Sequence, residues 1–225
     1  MLKAQKKYSK KELKHDPLVD NMLKAQTYYE DNKSKITNIL VAVIVIGAAF
    51  LIFNHFHTNT MDKAETILGK AQVELDRLNT AGAESYLTML VDGYAGTDAA
   101  DQGLFLLAGV KYKQKKYAEA REAYKKFVDS YSGSAILLSS GYAGLAACYE
   151  QEKDFKMAAE AFKTAWNKAG DLPQAANYLY QAGLDYRASG NTAEAKAAFQ
   201  KIVDDYSDSS LKFNAQTALI TLASK

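Results

Sequence analysis

A short phrase returns along the C-terminal part of the chain and restricts the fold more than any other feature. It consists of an apolar residue, Val, Asp, any residue and Tyr, and it reads LVDGY, FVDSY and IVDDY at its three occurrences. The valines are Val91, Val128 and Val203, so the intervals are 37 residues and then 75, which is close to two such periods. A period of this size is typical of chains built from stacked supersecondary units.

Each copy contains two helical stripes of apolar residues with a short turn between them. Small residues recur where the two helices face each other, and Ala120, Ala158 and Ala195 are 38 and 37 residues apart. In the first clear copy the turn is predicted at Gln114–Lys116. The predicted stripes are Leu104, Leu107, Ala108, Tyr112, Tyr117, Ala120, Tyr124 and Phe127 in the first copy, Tyr142, Leu145, Ala146, Tyr149, Phe155, Ala158, Phe162 and Ala165 in the second, and Leu179, Ala182, Gly183, Tyr186, Ala195, Phe199 and Ile202 in the third.

These positions resemble the tetratricopeptide repeat, whose helix pairs stack into a solenoid. A degenerate earlier copy runs through Ile67, Ala71, Ala83, Leu87 and Leu90, and a final helix, Leu211 to Leu222, is expected to cap the stack. The resemblance implies an all-α domain of about four helix pairs plus a capping helix over residues 62–225. The chain departs from the family pattern where Ser132, Gly170 and Ser207 replace the usual Pro and where Thr192 replaces an aromatic residue, and its period exceeds the usual value of about 34.

The recurring phrase is interpreted as the seam between one helix pair and the next. Val128 and Val203 close the second helix of a pair, and Tyr131 and Tyr206 are expected to fill the gap toward the following pair. The Ser, Asp and Gly residues that follow are expected to turn the chain and cap the next helix. The phrase therefore predicts architecture and no chemistry.

The run from Ile36 to Phe53 predicts a single N-terminal transmembrane helix. Only Thr37 and Asn38 in it are polar, and a helix of this length spans about 27 Å, close to the thickness of a bilayer core. A buried core helix is the first alternative, but such helices usually keep a polar stripe. A cleaved signal peptide is the second alternative, but the preceding segment is long for one.

The charge distribution predicts the direction of the span. Residues 1–35 contain nine Lys and five acidic residues, and this basic flank is expected to stay in the cytoplasm. Within this arm, Asp16 and Pro17 predict the start of a short amphipathic helix, which would lie on the membrane or dock a cytoplasmic partner. The predicted domains are the arm (1–35), the span (36–53), a juxtamembrane linker (54–61) and the repeat domain (62–225).

Few residues suggest catalysis, and no enzyme activity, cofactor or metal site is expected. The single cysteine, Cys148, falls on a helix and is interpreted as a buried thiol, while the net charge of +2 does not suggest nucleic-acid binding. No glycine-rich phosphate loop follows a strand pattern, and no small-molecule substrate is expected. The acidic residues interpreted as solvated charges at helix ends are Glu150, Glu152, Asp204 and Asp205.

Binding of a polypeptide suits this architecture, because the first helices of stacked pairs line a concave groove. The repeat register places aromatic, apolar and two charged residues on that groove, which would suit an extended or helical segment with exposed apolar side chains. Alternatively, the capping helix or the degenerate first pair fills the groove. The predicted groove residues are Phe105, Tyr112, Glu150, Tyr180, Leu184 and Arg187, with Gly109, Ala143 and Ala147 between them.

The layout also resembles the ancillary subunit of the bacterial Sec translocon. A short arm, the juxtamembrane stretch TYYEDNKSK from Tyr28 to Lys35, one span and degenerate repeats follow one another in that order. The resemblance implies an inner-membrane protein with periplasmic repeats that associates with SecYEG, periplasmic chaperones or exported chains. The alternative is a structural subunit or assembly scaffold of another membrane protein complex.

Overall fold

The computed structural model describes residues 17–224 of the chain, and all regular secondary structure within this range is helical. Residues 1–16, which include the predicted cap Asp16, lie outside it. The chain divides into two compact units, Met1–Thr58 and Asn59–Lys225. The helices are α1 (Pro17–Asp76), α2 (Thr80–Gly93), α3 (Asp98–Lys113), α4 (Tyr117–Ser130), α5 (Ala135–Gln151), α6 (Phe155–Ala169), α7 (Ala175–Ala188), α8 (Thr192–Asp205) and α9 (Leu211–Ala223). The all-α class is confirmed.

Helix α1 is much longer than the arm helix predicted from the sequence. It begins at Pro17 and ends at Asp76, so residues 54–61, expected to form a linker, are helical as well. After Pro17 this segment contains no further proline and only two glycines, Gly47 and Gly69, so little in it disfavours a continuous helix. The chain leaves the helix at Leu78, which adopts a positive φ of 60°.

The apolar run of α1 has no polar stripe and no buried side chain in the structure. Ile44, Ile46 and Leu51 are each more than 60% exposed, and none of the most apolar stretch is covered by protein. The hydroxyl of Thr37, at the start of the run, donates a 2.8 Å hydrogen bond to the Lys33 carbonyl and so has an internal partner. The described residues contain one helix that is long and apolar enough to cross a membrane.

The second unit is a stack of antiparallel helix pairs, as the repeat predicted. Helices α3 and α4 form one pair, α5 and α6 the next, and α7 and α8 the third, while α9 follows at the end of the stack. At the pair contacts the predicted small residues are fully buried, for example Ala108 with Ala120 and Ala182 with Ala195. The degenerate first copy is also part of the core, because Ala71, Ala83, Leu87 and Val110 cluster there.

Glycine allows close packing where one pair meets the next. Leu90 contacts the position of Gly103, where an added Cβ would lie 2.8 Å from Leu90 Cδ2. One period later Phe127 packs against Gly141, and an added Cβ there would overlap the Phe127 ring. At the following seam the sizes are reversed. The small Ala165 stands at the position of Phe127, and the large Tyr178 stands at the position of Gly141. Complementary sizes at these positions therefore fit the pairs together.

The two seam tyrosines make different contacts: Tyr131 reaches the start of the following pair, as predicted, and Tyr206 bonds to the preceding pair. Tyr131 stacks on Phe127 at 4.9 Å between ring centroids, and its hydroxyl accepts a 2.9 Å hydrogen bond from the Ser134 amide. Ser134 itself makes no side-chain capping bond, so the expected serine cap of α5 is wrong and Tyr131 satisfies an amide there instead. Tyr206 accepts a 2.7 Å bond from Trp166 Nε1, which ties it back to the preceding pair.

The register of the first clear copy also needs a correction. Lys111, not Tyr112, stands 38 residues before Tyr149 and 75 before Tyr186, and so takes the position of these tyrosines. Its Nζ lies 2.7 Å from Glu84 and 2.6 Å from Glu119, which gives the charge two partners at this half-buried position. Tyr112 is therefore free to occupy the groove position that the same register gives it.

Candidate protein-binding groove

The first helices of successive pairs line one side of the repeat unit. Helix α3 approaches α5 and α7 approaches α9, while α5 and α7 approach each other less closely and no such approach occurs between the second helices α2, α4, α6 and α8. Because the first helices are the closer ones, they form the inner side of the stack. Helix α9 contacts α7 and α8, so it extends the row of first helices rather than crossing it.

The six predicted groove residues lie on three of these first helices. Phe105 and Tyr112 belong to α3, Glu150 to α5, and the remaining three to α7. Five of the six are half-buried, while Arg187 is exposed and contributes to no ion pair within the described residues. On α5 the register places small residues, Ala143 and Ala147, at the equivalent positions, and both are half-buried.

The predicted groove aromatics are held by rings of the second helices. Phe105 lies 5.8 Å from Tyr124 and 5.4 Å from Phe127 between ring centroids, and Tyr180 lies 5.5 Å from Phe199. Such contacts fix ring orientation before any ligand binds. The rings of Phe105 and Tyr180 are therefore fixed in orientation by the helix pairs, and both remain partly exposed.

Tyr112 is the groove aromatic nearest to the polar end. Its ring contacts Tyr117 at 5.2 Å between centroids, in an edge-on arrangement. Removal from water is the main cause that raises the pKa of its hydroxyl above the usual value, and the neighbouring Tyr117 adds to the shift. The hydroxyl therefore stays neutral and can donate or accept hydrogen bonds across the groove.

Glu150 and Asp185 form a carboxyl pair between α5 and α7, which the sequence did not predict. Asp185 is only 4% exposed, and burial followed by the negative charge of Glu150 raises its pKa to about 7. Burial also raises the pKa of Glu150, while a hydrogen bond from Asp185 opposes that rise. The interpretation of Glu150 as a solvated helix-end charge is therefore wrong, because its side chain is partly removed from water and interacts with a second acid.

The repeat register contains a signal for Asp185 that sequence reasoning missed. Val110, Cys148 and Asp185 are 38 and 37 residues apart and occupy one equivalent position on α3, α5 and α7. The first two are 2% and 0% exposed, so the position is a buried one in each repeat. A carboxyl group at a site that otherwise takes apolar residues is a local departure from good packing chemistry.

Cys148 is buried, as predicted. Burial is the main cause that raises the pKa of its thiol to about 12, so the reactive thiolate is not populated near neutral pH. No group of three His, Cys, Asp or Glu residues within residues 17–224 is arranged to hold a metal ion.

Two cavities on the opposite side of the stack were not anticipated. One, of about 440 Å³, lies between α2 and α4 above Leu104 and Leu107 of α3. The other, of about 150 Å³, lies between α6 and α8 and is bordered by Trp166 and Lys201. The Lys201 ammonium stands 5.4 Å from the centroid of the Trp166 ring. These cavities are what the wider spacing of the second helices leaves open.

The sequence matches one family model over most of its length. The model describes a tetratricopeptide repeat-like domain and covers residues 26–223. Folds of this kind typically serve as non-catalytic scaffolds that bind other proteins. Among curated proteins, none matches the sequence.

Solved structures share the fold at low sequence identity. A tetratricopeptide repeat protein from Parabacteroides merdae superposes with a TM-score of 0.59 at 19% identity, over 72% of this chain and 61% of that one. BtubC from P. vanneervenii gives 0.57 at 15% identity, over 76% of each chain. A Rap protein in complex with competence and sporulation factor gives 0.50 at 18% identity, over 72% of this chain and 46% of that protein. This chain thus spans less than two thirds of the first and third of these proteins.

Proposed function

Because the chain belongs to the family of tetratricopeptide repeat-like domains, we propose that it is a membrane-anchored protein-interaction module that assists protein export. In this role the repeat domain binds segments of exported chains, or of chaperones that accompany them, beside the SecYEG translocon. The lipid bilayer is the second partner, contacted through residues 36–53. The protein binds polypeptide and transforms no substrate.

The exposed apolar run carries this proposal. Residues 36–53 belong to the first compact unit and none of their side chains is buried, while the repeat residues form a second unit with its own core. In water such a run would expose far more apolar surface than a soluble domain tolerates. A bilayer of matching thickness removes this surface from water.

The lysines set the proposed orientation and location. The excess of Lys over acidic residues in the arm holds the N-terminus in the cytoplasm, and the repeat domain then lies in the periplasm of a bacterium. The proposed domains are the arm (1–35), the span (36–53), the helical connection (54–61) and the repeat domain (62–225). Anchoring of the repeat domain beside the export channel raises its effective concentration near emerging chains.

The groove suits weak binding of segments that are not yet folded. Half-buried rings and small residues offer apolar contact along a row of helices, while Tyr112 and Glu150 add polar groups at one end. The Rap protein with the same kind of fold binds competence and sporulation factor, which is consistent with ligand binding by such a stack. We expect broad specificity, because the groove is mostly apolar and presents few directional groups.

Site-specific photocrosslinking in native membranes tests the proposal. A photoreactive residue at position 112 or 180 should capture precursor proteins that are being exported, and arrest of translocation should increase the yield. The same residue at position 125, which is exposed on α4, serves as the matched control and should capture far less. Capture of one folded protein alone from the groove positions, without precursors, would contradict an export role.

A second candidate function is a scaffold subunit of another membrane protein complex. The rigid packing of Phe105 and Tyr180 favours it, because a fixed surface also suits one folded partner. Purification in a mild detergent separates the two candidates. A complex of fixed stoichiometry that lacks translocon components supports the scaffold, while substoichiometric association with SecYEG supports the export role.

A further inference from the structure

The carboxyl pair of Glu150 and Asp185 differs from the equivalent pair one repeat earlier. At the seam between α3 and α5, the matching positions hold Tyr112 and Cys148, two neutral groups that lie near each other. At the seam between α5 and α7 the same positions hold two acids. The acids therefore do not follow from the repeat architecture, which is satisfied one period earlier without them.

The packing around this pair leaves one buried oxygen atom without a hydrogen bond. Helices α5 and α7 approach each other less closely than α3 and α5 do. The Oδ2 atom of Asp185 is buried there and has no hydrogen-bond partner, although buried polar atoms are normally paired. Glu150, which is half-buried at a predicted groove position, interacts with this carboxyl group.

Among the described residues of the repeat unit, no Lys or Arg contributes to the pKa shift of either acid. Arg187, the base predicted to share the groove, is exposed and forms no ion pair with them. Besides burial, the pKa of Asp185 is shifted by Glu150, which is an acid itself. A pair of carboxyl groups in this position has acceptor capacity that the protein leaves unused.

We propose that Glu150 and Asp185 form an anchor for a cationic side chain, Lys or Arg, of the polypeptide that occupies the groove. This inference rests on the proposed function, namely that the groove binds polypeptide. A Lys ammonium or an Arg guanidinium supplies several N–H donors and a positive charge, and so satisfies both carboxylates at once. A turn of the half-buried Glu150 side chain opens the Asp185 carboxyl to the incoming cation.

The anchor gives the groove a selectivity that its apolar residues lack. An apolar segment with a Lys or Arg at the matching place gains a charge-assisted contact, whereas a segment with an acid there meets two like charges. Because the site is partly removed from water, the contact is less screened than a surface ion pair. Apolar segments with one Lys or Arg at the matching place are therefore the preferred ligands.

Binding of short synthetic peptides to the full chain in lipid nanodiscs tests this anchor. The peptides are fluorescein-labelled and N-acetylated, share an apolar aromatic sequence, and differ only at one central residue, which is Lys, Arg, Gln or Glu. Fluorescence anisotropy gives each Kd. We expect the Lys and Arg peptides to bind about tenfold more tightly than the Gln peptide, a difference of about 1.4 kcal/mol, and the Glu peptide to bind most weakly.

Two variants locate the preference, and a third controls for charge. Glu150→Gln and Asp185→Asn should each bring the ratio of the Gln-peptide Kd to the Lys-peptide Kd close to one, whatever their effect on the affinity for the Gln peptide. Asp208→Asn removes one acid from an exposed position in the connection between α8 and α9 and should preserve the preference. Circular dichroism checks that each variant is folded. If Asp185→Asn does not fold, Glu150→Gln alone tests the anchor.

The outcomes separate this anchor from the general role of the groove. Equal binding of the Lys and Gln peptides, or a Lys preference that survives both variants, overturns the anchor but leaves a polypeptide-binding groove. Failure of all four peptides to bind overturns both the anchor and the groove. Loss of the preference in the two variants, with the control unchanged, supports the anchor.

Discussion

The ring of Phe127 occupies the space in which a Cβ atom of Gly141 would stand. Phe127 is fully buried and belongs to the end of one helix pair, while Gly141 belongs to the first helix of the next. The contact thus transmits packing from one repeat to the following one. In a solenoid, such contacts between neighbours carry much of the stability, because each repeat touches only the repeats beside it.

Replacement of Gly141 by Ala should therefore destabilise the repeat domain. The added methyl group overlaps a buried ring that other side chains hold in place, and overpacking of this kind costs about 1–3 kcal/mol. Chemical denaturation of the full chain measures the change in the free energy of unfolding. Gly69→Ala is the matched control, since an added Cβ there has no neighbour within 4 Å and should stabilise helix α1 by about 0.5–1 kcal/mol. Equal effects of the two substitutions would contradict the tight seam.

Loss of the Tyr206 hydroxyl should loosen the contact between the second and third clear repeats. Tyr206→Phe removes the acceptor of the 2.7 Å bond from Trp166 Nε1, and we expect a loss of about 0.5–1.5 kcal/mol. Trp166 is the single tryptophan of the chain, so its fluorescence reports on this contact. Tyr117→Phe, which lies on a different helix pair, should leave the emission spectrum unchanged. An unchanged spectrum in Tyr206→Phe would show that the bond does not persist in solution.

The raised pKa of Asp185 predicts a specific dependence of stability on pH. Its folded-state pKa of about 7 exceeds the ordinary value of 3.8, so the folded state holds the proton more tightly than the unfolded state does. The free energy of unfolding should then fall as the pH rises from about 4 to about 7 and level off above, by about 1.4 kcal/mol for each unit of pKa difference.

Thermal unfolding of the wild type and Asp185→Asn across this range isolates the contribution of Asp185. The variant cannot titrate at this position, so its stability relative to the wild type should increase with pH. Asp208→Asn, an exposed acid changed in the same way, should show a constant difference from the wild type. A constant difference for Asp185→Asn as well would mean that Asp185 ionises normally in the folded protein.

Charges placed in the apolar run should release the protein from the membrane. Val43→Lys together with Ile46→Lys places two lysines near the middle of residues 36–53, at a cost of about 3 kcal/mol each at the centre of a bilayer. Lysine keeps the helix intact, so the change tests lipid contact rather than helix formation. Carbonate extraction of membranes should move this variant to the soluble fraction. The control, Val43→Leu with Ile46→Leu, should remain in the membrane.

The periodic part of the molecule was predictable from the sequence because its causes are local. The spacing of Ala120, Ala158 and Ala195 predicts helix pairs in register, and the structure buries all three. The turn at Gln114–Lys116 was predicted as well, since α3 ends at Lys113 and α4 begins at Tyr117. The long apolar run was likewise predicted to be helical and not packed in a protein core, and the structure shows both. These features depend on which residues recur along the chain, and a single sequence contains that information.

The polar groups were decided by tertiary structure, because their energies depend on neighbours that lie far away in sequence. Asp185 and Glu150 are 35 residues apart, and only the stacking of α7 on α5 makes them a buried pair. The packing of the third clear helix pair on the second likewise brings Tyr206 to Trp166, 40 residues away. Sequence alone could assign these residues to helices but not to an environment. Burial and the charge of the facing helix set their ionisation and hydrogen bonding, and both arise only when the repeats pack together.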